Sequence, residues 1–151
     1  MKREIIVLTL IILIFVQSCK DNDCQDNLCF SPPSSFDFEL VDKQTGENLF
    51  TNGTFDSKDI SVINLDDQSY VGFTFLDENN YNIISINTIG WETEVTYYSI
   101  QISSESIFKL YVNAERLNEN CCSYTEYKEI RIENSDFELN QDIGIYKILV
   151  E

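Results

Sequence analysis

Residues 36–40 read Phe-Asp-Phe-Glu-Leu, and this alternation of apolar and charged side chains recurs along most of the chain. Successive side chains of an extended strand point to opposite faces, so a period of two marks a strand with one face buried. By the same count Val71, Phe73 and Phe75 share a face, as do Tyr98, Ile100 and Ile102. Phe108, Leu110, Val112 and Ala114 form a further row, with Lys109 and Asn113 opposite. Other strands are expected over 60–65, over 81–89, around Ile130 and Ile132 with both directed inward, over 136–140 and over 143–151. Gly46, Gly90 and the run Glu78-Asn79-Asn80 supply turns between them. Past the N-terminal apolar run, only 113–120, Asn-Ala-Glu-Arg-Leu-Asn-Glu-Asn, offers one or two turns of helix. Short strands with turn signals roughly every ten residues predict an all-β domain. We expect an immunoglobulin-like β-sandwich of about seven to nine antiparallel strands, with a small β-barrel as the alternative. Trp91 lacks the spacing to the cysteines that an antibody-type domain requires. Ten phenylalanines and eight tyrosines provide ample apolar surface. At ~1.5–3 kcal/mol for each large side chain buried, such a core needs no metal.

Charge narrows the partners. The chain holds 26 acidic and 10 basic residues, a net charge of −16. A surface this acidic repels phosphate backbones, so nucleic acid is not an expected partner. Histidine is absent, which removes the commonest general base and metal ligand and every histidine-dependent triad within the chain. Asp66–Asp67 and Asp77–Glu78 are adjacent carboxylates, but no D-x-D-x-D-G loop surrounds them, and they read as solvated turns. No cofactor or metal is implied, and a non-catalytic role is expected.

The N-terminus carries an address. Lys2 and Arg3 precede an apolar run from Ile5 to Val16. A membrane-spanning helix needs about 20 apolar residues, so this shorter run reads as a signal peptide over residues 1–18. The tetrapeptide Val16-Gln17-Ser18-Cys19 resembles the lipobox of bacterial lipoproteins. That resemblance implies cleavage after Ser18, a lipid on Cys19 and the membrane as a partner. Residues 19–34 are polar and acidic and contain the chain's two prolines, Pro32 and Pro33, as expected for a lipidated tether. The β-domain would then occupy 35–151.

Three segments, CFSPPSSFDFELVDKQTGENLF (29–50), DENNYNIISINTIGWETE (77–94) and CCSYTEYKEIRIEN (121–134), resemble an uncharacterised family of Bacteroidota lipoproteins. The resemblance spans most of residues 29–150 and brings no activity with it. Lys20-Asp21-Asn22-Asp23 resembles the acidic export signals of such lipoproteins. It implies an outer-membrane anchor, with display on the cell surface preferred over the periplasmic face. Residues 41–49, Val-Asp-Lys-Gln-Thr-Gly-Glu-Asn-Leu, also resemble the strand–turn–strand of transthyretin-like and peptidase-regulatory β-domains.

With Cys19 lipidated, Cys24, Cys29, Cys121 and Cys122 remain, an even number that suggests two disulfides in an exported protein. Four cysteines allow three connectivities. A bridge between the adjacent Cys121 and Cys122 would close a strained ring, so the other two are preferred. Both tie the N-terminal segment to the cysteine pair: Cys24 takes Cys121 or Cys122, and Cys29 takes the other. For ligand contact the candidates are aromatic. Trp91, Tyr97 and Tyr111 could stack on sugar rings or on a protein partner, and the two tyrosines fall opposite the apolar faces of their strands. Outer-face tyrosines also pack across strand pairs without any ligand. Two roles are expected from this: a binding module of the cell envelope for protein or glycan, or an accessory subunit of an outer-membrane assembly.

Overall fold

Residues 29–78, 81–119 and 122–151 are described in the computed structural model. Their alternating segments form ten strands: β1 (Cys29–Phe30), β2 (Phe36–Asp42), β3 (Ile60–Asn64), β4 (Thr74–Leu76), β5 (Ile83–Ile86), β6 (Glu94–Ile102), β7 (Glu105–Glu119), β8 (Cys122–Glu133), β9 (Asp136–Asn140) and β10 (Ile145–Val150). One sheet has the order β1-β8-β7-β6-β3 and the other β4-β5-β2-β10-β9. Together they make the β-sandwich expected from the period-two pattern. Ser57–Asp59 forms a 3-10 turn, whose backbone Lys58 N–H is capped by the Asp56 carboxylate at 3.0 Å.

The inward rows are those read from the sequence. Phe38, Leu40, Ile100, Phe108, Leu110 and Ile148 are fully buried, and the Phe38 and Phe108 rings meet across the sheets at 4.9 Å. β6 and β7 are joined by Ser103 and Ser104, both at positive φ. Two such residues in succession make the tight hairpin turn whose twist suits the flanking strands.

Two pairings depart from the antiparallel expectation. β2 runs parallel to β10 over six residue pairs, and β1 runs parallel to β8. Parallel neighbours are joined by long crossovers, so no turn signal in the sequence announces them. The β1–β8 pair is stapled by a Cys29–Cys122 disulfide with its Cα atoms 4.5 Å apart. Folded structure therefore reaches back to Cys29, before the domain start drawn at residue 35. Ser31 N–H bonds Ser123 O at 2.9 Å, and the Tyr127 hydroxyl donates to Ser34 O at 3.2 Å.

The helical expectation for 113–120 is overturned over its described part. Residues 113–119 continue β7, paired in register with β8 as far as Glu119↔Cys122. The antiparallel ladder satisfies their backbone groups in a long hairpin, which outweighs the modest helix propensity of Ala114, Glu115 and Arg116. Ile130 also differs from expectation. It lies on the inward face, opposite Val112, yet stays 37% exposed. Ile132 is half-buried against the core. An apolar cleft lies here between the sheets, lined by Tyr127 and Ile130 of β8 and by Leu139 of β9, and on this side the sandwich is open.

Candidate functional site

Trp91 sits where the chain leaves the core. Ile89 is fully buried, and Gly90 follows at φ +90°. A Cβ on Gly90 would lie 2.8 Å from Thr125 Cγ2, so both the backbone angle and the close packing require glycine. The turn is held on every side. Gly90 N–H donates to Glu94 Oε1 at 2.6 Å, and the Thr125 hydroxyl donates to Gly90 O at 2.6 Å. Trp91 Nε1–H donates to Asn87 O at 2.8 Å, which fixes the indole while leaving it 50% exposed.

Beside it lies Phe30, 59% exposed, with ring centroids 6.1 Å apart and planes inclined by 28°. Phe30 is carried by β1, whose position is set by the disulfide one residue earlier. Arg116 completes the group. Its guanidinium carbon is 5.2 Å from the Phe30 centroid, and Nη1 donates to Ser31 O at 2.9 Å and to Thr125 Oγ1 at 2.8 Å. Its backbone N–H is bound by Thr93 Oγ1 at 2.9 Å. Two rigid exposed rings and a cation held by neutral oxygens form a surface suited to stacking on a sugar ring or an aromatic or planar side chain.

Tyr97 and Tyr111 are elsewhere, on the outer face of the sheet that holds β6 and β7. They are directly opposite in register and meet edge-on at 6.2 Å. Both are half-buried. Arg131 lies over the Tyr111 ring at 3.9 Å and Lys109 over the Tyr97 ring at 5.7 Å. The Tyr97 hydroxyl donates to Glu133 Oε2 at 2.7 Å. That bond pushes the Tyr97 phenol up and holds the Glu133 carboxyl below its usual range. Much of what these rings could offer a ligand is already engaged by neighbours.

The structure thus brings Trp91 together with Phe30 and Arg116, and brings Tyr97 together with Tyr111, but does not join the two groups. Phe30 and Arg116 were missed in the sequence. An isolated phenylalanine directly after a bridging cysteine, in an otherwise polar run, was the available signal. Cys29 and Cys122 are paired as one of the two preferred connectivities requires. Cys19, Cys24 and Cys121 lie outside the described residues. Also unanticipated is a largely apolar cleft of about 340 Å³ at the open side, lined by Phe36, Tyr127, Ile130, Leu139 and Tyr146. Among the described residues, no group of three or more Cys, Asp or Glu side chains gathers as a metal site, and no helix is long and apolar enough to cross a membrane.

These features define an all-β sandwich with a disulfide-pinned aromatic surface at one end. Compared with known proteins, the chain matches no family model, no curated protein and no solved structure.

Proposed function

We propose that this protein is a lipid-anchored module of the bacterial cell envelope that binds a protein or glycan, without catalysis, through Phe30, Trp91 and Arg116. The observation that carries the reading is the half-exposed Trp91 and Phe30 pair, locked by hydrogen bonds and a disulfide at no ligand's expense. Rigid exposed aromatics lose little entropy on binding. The lipobox-like Val16–Cys19 supports the anchor, and the acidic residues after it support the outer membrane, with the cell surface preferred.

The test is binding of envelope glycans and surface-protein fragments to the protein and to its Trp91→Ala and Phe30→Ala variants. Each variant is expected to weaken binding by roughly tenfold or more, about 1.4 kcal/mol. Tyr111→Ala should leave binding unchanged. Equal loss from Tyr111→Ala would move the site to the outer face of the sheet. Mass spectrometry of membrane-extracted protein should find acyl chains on Cys19. A second reading, an accessory subunit of an outer-membrane assembly, is favoured by the uncovered edge of β9.

A further inference from the structure

The two edges on the open side of the sandwich are built differently. β8 carries a bulge at Lys128, which has no partner in the register between Asn113 and Ala114. Lys128 itself is held by ion pairs to Glu115 and Glu126, and Arg131 further along the strand by ion pairs to Glu129 and Glu133. A bulge and fixed charges are the devices by which edges resist pairing with another chain. The first turn of this edge is also covered by β1.

β9 has no bulge and no covering strand among the described residues, and its own charges, Asp136 and Glu138, are all acidic. Residues Asp136–Asn140 contain no lysine, arginine or proline, and their register with β10 is unbroken over five pairs. Every residue of β9 is exposed, and among the described residues β10 is its sole partner strand. Its other side therefore presents free backbone N–H and C=O groups. Phe137 lies opposite the fully buried Ile148, and Leu139 opposite Tyr146, so both point to the inner face. They nevertheless remain 44% and 42% exposed, and Leu139 lines the apolar cleft that Ile130 lines from the other sheet. On the outer face Glu138 lies opposite Lys147, with Glu39 3.9 Å from the same lysine. Lys43 is shared by Asp136 and Glu151. Two lysines are thus set among four carboxylates, and Asp142 follows in the turn.

We infer that β9 is a strand-addition site for an extended peptide whose residues alternate apolar and basic. Backbone pairing would extend the sheet to a sixth strand. Alternate apolar side chains would cover the exposed Phe137 and fill the cleft at Leu139 and Ile130, and the intervening lysines or arginines would meet Asp136 and Glu138 on the outer face. Charge argues against the obvious alternative, a second copy. Antiparallel self-pairing centred on β9 would bring Glu138 against its own counterpart, between molecules of net charge −16 each. The inference depends neither on the Phe30–Trp91 surface nor on the lipid anchor.

The probe is a synthetic peptide of about ten residues alternating valine and lysine. It is compared with a peptide of the same composition arranged as a valine block and a lysine block, and with an alternating valine–glutamate peptide. The full chain should bind the first with a micromolar dissociation constant, and hydrogen exchange of the β9 amides should slow on binding. Leu139→Glu and the outer-facing Glu138→Lys should each weaken it roughly tenfold, about 1.4 kcal/mol. Equal binding of the block or glutamate peptide would overturn the proposal. So would unchanged β9 exchange, or no saturable binding below ~1 mM. Sedimentation showing a dimer that Leu139→Glu dissolves would also overturn it, by giving the edge to a second copy.

Discussion

At the scale of single residues, the outer-face pair Tyr97 and Glu133 makes the clearest pH-dependent contact. The Tyr97 hydrogen bond holds the Glu133 carboxyl below its ordinary range, aided by Arg131. A group whose folded pKa is depressed adds stability above its unfolded pKa and loses it as pH falls through the folded one. The contact is therefore in place at neutral pH and lost under acid. Tyr97 responds in the opposite sense. Its phenol is raised by the same bond, so its share is present below the ordinary tyrosine pKa and lost as pH climbs through the folded value. Tyr97→Phe is expected to return the Glu133 midpoint upward, read by carboxyl-carbon NMR titration. An unmoved Glu133 would assign its shift to Arg131 and Lys109. Both groups sit half-buried on an outer face open to solvent, so the effect belongs in titration curves and not in large changes of unfolding free energy.

At the scale of elements, β1 is the piece most dependent on a single covalent bond. It has two residues and one neighbour strand, and its cysteine closes a loop of 93 positions to Cys122. The chain-entropy account gives a loop of that length up to about 4–5 kcal/mol. Cys29→Ser should lower stability by some part of this, measured by urea unfolding. It should also strip exchange protection from the Ser31 N–H and swing Phe30 away from Trp91. If Trp91 fluorescence and Ser31 exchange do not change, β1 is held by something other than the bridge. The elements were largely legible in the sequence because alternation is local. The buried rows of β6 and β7 follow directly from it. What could not be read were relations set by distant partners. Residues 113–119 have no apolar period of their own and are strand because β8 lies alongside. Ile130 alternates correctly yet stays exposed because it faces a cleft shared with Leu139 and Tyr146 of the other sheet. The surface of Phe30, Trp91 and Arg116 joins three segments far apart in sequence, and the sequence revealed only its tryptophan.

At the scale of the whole molecule, the parallel pairing of β2 with β10 places the first long strand beside the last one. Phe38 and Leu40, fully buried, depend on that closure for their neighbours Tyr146 and Ile148. Deleting residues 145–151 should therefore abolish the cooperative unfolding transition and not merely trim an edge. A deletion variant that still melts sharply would mean that β2 is adequately held by β5 alone. The same closure has a consequence in time. A nascent chain carrying β2 cannot complete its central sheet until β10 has also been made, and contacts so far apart in sequence form slowly. Until that last strand arrives, Phe38 and Leu40 lack the neighbours that bury them, so the domain locks only at the end of its own sequence.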